Sequence, residues 1–149
     1  MATRVGRLRA SGFTGGVAAW RPQQMYAWPG LTQVKGNELL AVASERKHHV
    51  CPFGRIVVVR STDGGKHWHL PQEVFNSEMD DRHPSVVTMP DGTLVCAWIT
   101  VNFWMNPRQT RPEWAARAAR VTDRLLEEVL GDWLVTSSDG GHTWEQVPH

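Results

Sequence analysis

The sequence has only two cysteines, almost no net charge and no long apolar run. Cys51 and Cys96 do not make a metal or disulfide framework, so we expect both thiols to be reduced and structural. A formal net charge of +1 over 149 residues gives no global field that would draw the chain to nucleic acid or to a membrane. No run of about 18 apolar residues is present, which excludes a membrane-spanning helix, and no secretory signal is visible.

Tryptophan is abundant, with eight residues, and 41% of the chain is hydrophobic while 21% is charged. These values are typical of an ordinary globular domain rich in sheet. Short β-prone runs recur between turn signals that contain glycine or proline. The clearest of them are residues 31–34, 39–44, 55–60, 84–89 and 93–101.

Two nearly identical octapeptides follow apolar runs. Residues 61–68 read Ser-Thr-Asp-Gly-Gly-Lys-His-Trp, and residues 137–144 read Ser-Ser-Asp-Gly-Gly-His-Thr-Trp. The aspartate predicts a turn closed by backbone N–H groups, the glycines allow positive φ, and the tryptophan covers the turn. We therefore predict a structural role for the matching positions Ser61, Asp63, Gly65, Trp68, Ser137, Asp139, Gly141, Thr143 and Trp144.

The spacing between turn signals reveals an insertion. Gly36 and Gly92 are 56 residues apart, whereas Asp63 and Asp139 are 76 apart. The surplus of 20 residues falls within residues 102–131, where a Thr-x-x-Glu sequence at 110–113 has the form of a capping box. The apolar residues that follow it recur at helical spacing and predict one helix over about 111–130. Those residues are Trp114, Ala118, Val121, Leu125 and Val129.

The octapeptides resemble the Asp-box, or BNR, motif of sialidases and related propellers. The runs 39–46 and 82–87 also resemble strands of that family. The resemblance implies an all-β fold, with two four-stranded antiparallel blades of a six-bladed β-propeller and one inserted helix. Repeats of 40–50 residues with four strands are typical of propeller blades. We divide the chain into an irregular segment 1–27, a blade 28–75 and a blade 76–149.

The resemblance also implies where a site would lie. Sialidases use an arginine triad for the substrate carboxylate, an aspartate as acid/base and a Tyr–Glu pair as nucleophile. The connections 45–54, 76–83 and 102–131 would share the propeller face away from the Asp boxes. The residues there that match the family, or could replace its chemistry, are our candidates for substrate binding. They are Arg82, Arg46, Asp81, Glu45, His48 and His49.

The sequence departs from the family at several positions. Ala27-Trp28-Pro29 stands where the first blade should carry Arg-X-Pro, and residues 47–54 contain no carboxylate for acid/base work. Tyr26 precedes the first blade, so it should not inherit the nucleophile's role. His67 and His69 share a strand face without a third ligand, and we predict neither a metal nor a cofactor.

Three functions remain open. The first is a partial sialidase-like glycoside hydrolase acting on glycan termini, inactive as these 149 residues because two blades cannot close a ring. The second is a non-catalytic Asp-box module that binds a glycan or a protein. The third is an interaction protein that self-associates through its open blade faces. The expected partner is a glycan or a sialic-acid-like sugar, not nucleic acid or membrane.

Overall fold

A computed structural model describes residues 9–10, 13–14 and 17–147 of the chain. Within these ranges lie ten strands and two α-helices, besides short 3₁₀ turns. The strands are β1 Arg9–Ala10, β2 Phe13–Thr14, β3 Met25–Lys35, β4 Glu38–Arg46, β5 Arg55–Ser61, β6 Gln72–Phe75, β7 Asp80–Thr88, β8 Leu94–Val101, β9 Gly131–Ser137 and β10 Glu145–Gln146. The helices are α1 Ala115–Ala118 and α2 Asp123–Val129.

The long strands form two four-stranded sheets of the same topology. One has the order β3-β4-β5-β6 and the other has β7-β8-β9-β10. Every neighbouring pair is antiparallel, so each sheet is a simple meander. The predicted all-β class and the two four-stranded antiparallel sheets are confirmed. The propeller arrangement, and the unit boundaries at residues 28, 76 and 149, stay predictions.

The main core lies between the two sheets. In β8 the residues Leu94, Cys96 and Trp98 are buried, while the residues between them are only partly covered. This alternation with period two is what a strand with one buried face requires. The core cluster consists of Leu40, Val42, Ile56, Val58, Leu94, Cys96, Trp98 and Val135. Both cysteines are free thiols and buried.

The first long strand begins earlier than the sequence indicates. β3 starts at Met25, six residues before the predicted start at residue 31. The prediction of irregular structure over 1–27 is therefore wrong for residues 25–27, and also for β1 and β2, which pair with each other. A bulge at Trp28-Pro29 allows pairing with β4 on both sides of the proline. Residues 1–8, 11–12 and 15–16 of that predicted segment lie outside the described residues.

The single helix predicted over 111–130 is also wrong. A 3₁₀ turn, Pro112–Trp114, leads into α1, and α2 is separate. The first helix ends at Ala118, and Thr122 has extended φ and ψ of −115° and 159°, with its hydroxyl accepting a hydrogen bond from the Leu125 N–H at 3.2 Å. It is therefore the N-cap of α2. The predicted capping box is absent, since Arg111 holds the first cap position without a side-chain bond.

A second apolar cluster gathers three connections at one end of the sheets. Cys51 of the β4–β5 connection and Met79 of the β6–β7 connection pack with Trp104 and Trp114 of the β8–β9 segment. The apolar stripe of the inserted segment covers this cluster, which explains its helical spacing. Neither α-helix of the described chain is long and apolar enough to cross a membrane.

Candidate functional site

The two octapeptides form the same turn. Asp63 Oδ1 accepts hydrogen bonds from the backbone N–H groups of Lys66 and His67 at 3.0 and 2.9 Å. Asp139 Oδ1 accepts from the backbone N–H groups of His142 and Thr143, both at 2.9 Å. The hydrogen bonds to His67 lower the pKa of Asp63, and those to Thr143 lower the pKa of Asp139.

These turns lie at the opposite end of the sheets from the three connections. Each octapeptide follows its strand, β5 or β9, whereas a connection precedes that strand. The His67 Nδ1 atom lies 2.6 Å from Asp63 Oδ2, so this imidazole belongs to its own turn. Within residues 17–147 no group of three His, Cys, Asp or Glu side chains could hold a metal ion.

At the end where the connections meet, the two predicted arginines share one carboxylate. Arg46 ends β4 and donates from Nη2 to Asp80 Oδ1, while Arg82 Nη1 lies 3.9 Å from Asp80 Oδ2. Arg82 Nη2 also donates to the His49 carbonyl oxygen at 2.8 Å. All three charged side chains are at most 3% exposed, and burial lowers the pKa of Arg46 to about 10. They form an internal ionic network at neutral pH.

Glycine is required beside this network. A Cβ atom on Gly54 would lie 2.8 Å from Asp80 Oδ1 and 2.9 Å from the Asp81 carbonyl oxygen. The backbone of the β4–β5 connection can therefore approach the buried ions only without a side chain.

Asp81 is turned away from the arginines. Its carboxylate accepts hydrogen bonds from the Ser77 backbone N–H at 2.7 Å, the Ser77 hydroxyl at 2.9 Å and the Thr100 hydroxyl at 2.6 Å. The Ser44 hydroxyl donates to its carbonyl oxygen at 2.6 Å. Burial raises the pKa of Asp81. This residue ties the β6–β7 connection to β4 and β8.

Two strained residues lie above the buried arginines. Trp28 and His83 have positive φ angles of 52° and 54°, and each precedes a proline within a break of strand register. Their rings meet edge to face with centroids 4.2 Å apart. The Trp28 ring centroid lies 4.7 Å from Arg46 Cζ and 4.6 Å from Arg82 Cζ. The two bulges thus stack an indole on both guanidinium groups.

We call the outer surface of this stack the aromatic face, formed by Trp28, His49, His83 and Phe103. His49 and His83 are exposed, Phe103 is 51% exposed, and Trp28 is half-buried. The Phe103 ring lies 5.5 Å from Arg82 Cζ. Partial burial, and then the charge of Arg82, lower the pKa of His83. Its imidazole is therefore neutral at neutral pH and can both donate and accept a hydrogen bond.

Glu45 and His48 lie elsewhere. Because successive strand residues point to opposite faces, Glu45 projects from β4 away from Arg46. It accepts hydrogen bonds from the Tyr26 hydroxyl at 2.8 Å and from Arg55 at 2.6 Å. Burial and this hydrogen bond raise the pKa of Tyr26 to about 12. His48 packs beside Trp114, with ring centroids 6.3 Å apart.

The sequence reading missed Trp28, Phe103 and the Tyr26–Glu45 pair. In the sequence analysis Trp28 was noted only because Ala27-Trp28-Pro29 stands where the family carries Arg-X-Pro. The one available signal was the parallel between Trp28-Pro29 and His83-Pro84, two X-Pro pairs that occupy equivalent positions in β3 and β7. Of the predicted site residues, Arg46, Arg82 and His49 come together at the aromatic face.

Comparisons with known proteins identify structures of similar fold but do not assign the chain to a family. No family model and no curated protein matches the chain. A solved structure of a protein of unknown function from Dyadobacter fermentans is 21% identical, with a TM-score of 0.64 over 89% of this chain. This similarity shows a shared fold. The chain spans only 38% of that protein's length.

Two further solved structures are weaker neighbours. The Hadza microbial sialidase Hz136 is 16% identical, with a TM-score of 0.49, over 82% of this chain and 24% of its own. Zg3597, a family 117 glycoside hydrolase from the marine bacterium Zobellia galactanivorans, is 10% identical, also with a TM-score of 0.49, over 95% and 42%. Neither similarity is close enough to assign a function.

Proposed function

We propose that this chain is part of a sialidase-like Asp-box propeller and that its aromatic face binds the terminus of a sugar chain. The observation that carries the proposal is the edge-to-face packing of two left-handed residues, Trp28 and His83, above buried Arg46 and Arg82. Such backbone conformations cost about 1–3 kcal/mol each for non-glycine residues and concentrate at ligand sites. Their pairing on one exposed surface favours a binding role.

The chemistry of the aromatic face suits a sugar. The indole and phenyl rings offer apolar surface for the C–H face of a pyranose. The neutral imidazole of His83 can bond hydroxyl groups, and His49 lies beside it, with its ring centroid 5.6 Å from that of Trp28. Arg82 lies directly beneath, and its Nε has no hydrogen-bond partner among the described residues. Arg46 and Arg82 together carry two positive charges against the one negative charge of Asp80, and this excess favours an acidic sugar over a neutral one.

Binding is favoured over hydrolysis because the arginines already have a carboxylate. Asp80 lies between Arg46 and Arg82, so a substrate carboxylate would have to displace a fully buried side chain. The carboxylates beneath the aromatic face, Asp80 and Asp81, are inaccessible to a substrate.

Hydrolysis is the second candidate function, and the Tyr26–Glu45 hydrogen bond favours it. The raised pKa of Tyr26 opposes a role as nucleophile, and the pair projects from the face of β4 opposite to Arg46. We therefore expect no turnover of a fluorogenic sialoside by the 149-residue chain. Clear turnover that is lost in Arg82→Ala would favour hydrolysis instead.

Calorimetric titration with 3′-sialyllactose and with lactose tests the proposal. We expect saturable binding, tighter for the sialylated sugar, and a loss of about tenfold in affinity in Trp28→Leu, because an aromatic contact contributes about 0.5–1.5 kcal/mol beyond its area. Trp20→Leu is the matched control, since Trp20 is 61% exposed and lies outside the aromatic face. Absence of saturable heat with both sugars, or equal affinity of Trp28→Leu and the unmodified chain, would contradict the proposal.

A further inference from the structure

A separate cleft of about 420 Å³ opens on the other side of β4. Its walls come from β4, from the β4–β5 and β6–β7 connections and from α1, and we call it the Lys47 cleft. The lining residues used below are Gln24, Glu45, Lys47, Phe53, Asn76 and Arg117. Its volume falls within the range of about 300–1,000 Å³ that is typical of small-molecule sites.

The most buried charged side chain that lines the Lys47 cleft, Glu45, is already neutralised by two arginines. Glu45 is only 2% exposed and pairs with Arg55 at 2.6 Å and with Arg21 at 3.4 Å. Arg55 also pairs with Glu73 at 2.9 Å. The carboxylate of Glu45 therefore has no free charge to offer a cationic ligand.

The rim of the Lys47 cleft has an excess of positive charge. Glu78 pairs with both Arg117 at 3.4 Å and Arg120 at 3.3 Å. Lys47 has no carboxylate partner in residues 17–147, and its Nζ lies 5.8 Å from the Phe53 ring centroid. Arg117 Cζ lies 4.9 Å from the same centroid.

The charges of the cleft and its ion-pair partners do not balance. Among the lining residues and their ion-pair partners, five cations accompany three carboxylates, and counting the buried carboxylate of Asp81, whose charge also acts on Arg117, still leaves an excess of one cation. The cations are Arg21, Lys47, Arg55, Arg117 and Arg120, and the carboxylates are Glu45, Glu73 and Glu78. This field attracts an anion into a partly enclosed space, where charge interactions are stronger than in bulk water.

Two amides add hydrogen-bonding capacity without charge. The Gln24 side chain makes no hydrogen bond within residues 17–147, and Asn76 Nδ2 makes only a long contact of 3.4 Å with Glu73. An amide group both donates and accepts hydrogen bonds, which suits hydroxyl groups.

We propose that the Lys47 cleft binds a small polyhydroxylated carboxylic acid of monosaccharide size. Lys47 would contact the carboxylate, and Gln24 and Asn76 would contact the hydroxyls.

Nuclear magnetic resonance titration of the ¹⁵N-labelled chain with glucuronate tests this proposal. We expect saturable shifts of the Lys47, Phe53 and Asn76 amides, and a loss of at least about fivefold in affinity in Lys47→Gln, since a charge-assisted hydrogen bond is lost. Arg124→Gln is the matched control, because Arg124 is an exposed cation on α2 paired with Glu128. It should bind as the unmodified chain does.

Titrations with glucose and with sulfate show whether the Lys47 cleft recognises the negative charge of the ligand, its hydroxyl groups or both. Glucose lacks the carboxylate and should not saturate the cleft, whereas sulfate should bind more weakly than glucuronate. Asn76→Ala, which keeps the charge, should weaken glucuronate more than sulfate. Equal losses in Lys47→Gln and Arg124→Gln, or equal binding of sulfate and glucuronate, would overturn the proposal. Shifts confined to Trp28 and His83 would overturn it too, while leaving the aromatic face supported.

Discussion

At the scale of single residues, Asp80 holds Arg46 and Arg82 together where no solvent reaches them. Burying ions is costly, and the cost is offset only when opposite charges and hydrogen bonds are well placed. Removing one partner leaves another charge buried and unpaired. The two arginines that the family resemblance marks for a substrate are therefore also structural residues of the connections.

Asp80→Asn should destabilise the chain by about 3–5 kcal/mol, because it leaves two buried guanidinium groups without their anion. Urea unfolding measures the effect. Glu128→Gln, which breaks the exposed pair with Arg124, should change stability by less than about 1 kcal/mol. Similar losses in both variants would show that the Asp80 network is not special.

The octapeptide turns predict how stability depends on pH. The folded-state pKa values of Asp63 and Asp139 are depressed, so each carboxylate stabilises the fold above its unfolded pKa of about 4. That contribution is lost as the pH falls below about 4 toward the folded pKa values. Urea unfolding from pH 6 to pH 2 should show the loss, and the double variant Asp63→Asn, Asp139→Asn should show a smaller one. An unchanged acid dependence in the double variant would contradict this account.

At the scale of elements, the bulges in β3 and β7 decide where the candidate site lies. Each interrupts its strand at an X-Pro pair and then lets pairing resume. The result is that Trp28 and His83, which are 55 positions apart in sequence, come into contact. Hydrogen bonding between the Thr32 and Thr88 hydroxyl oxygens, 2.9 Å apart, joins the same two strands further along.

The inserted segment offers a paired test of its two threonines. Thr122→Ala removes the N-cap of α2 and should cost about 0.5–2 kcal/mol, with faster hydrogen exchange in α2. Thr110→Ala should change neither quantity, because Thr110 is exposed and caps no helix. If Thr110→Ala is the more damaging substitution, the single-helix prediction regains support.

Much of the fold could be predicted from sequence, because the runs near Val42, Val58 and Cys96 carry the period of buried strands. The contacts between residues of different strands that form the candidate site could not be predicted from sequence. Pro29 reads as a strand breaker, yet the bulge accommodates it, and only that register brings Tyr26 opposite Glu45. Thr122-Asp123 does have the form of a helix start, a threonine followed by an acid in the first turn, but the apolar residues continue at helical spacing across it and therefore favoured one helix. The burial of Arg46 and Arg82 depends on Asp80 and Trp28 from other strands.

At the scale of the whole molecule, one face of the second sheet remains open. Leu94, Cys96 and Trp98 face the first sheet, and the opposite face presents Val87 and Leu134, which are 51% and 44% exposed. The register places both on the same side, since Val87 pairs with Val95 and Leu134 with Ala97. Apolar strand surface of this kind favours association.

We expect this open face to make the purified chain associate as its concentration rises. Light scattering coupled to size exclusion should show an average mass that increases with concentration, and Val87→Lys should reduce it. Leu70→Lys is the matched control, because Leu70 is 84% exposed but lies in the connection after the first octapeptide turn. A concentration-independent monomer would contradict the expectation.

The most direct test of the proposed function follows the indole N–H signal of Trp28 while 3′-sialyllactose is added to the ¹⁵N-labelled chain. Among eight tryptophans, Trp28 is the one that belongs to the aromatic face. We expect a saturable shift of this signal, accompanied by shifts of the His49, His83 and Phe103 amides and by none at Trp20. Saturable shifts elsewhere with Trp28 unmoved, or no shifts at all, would contradict it.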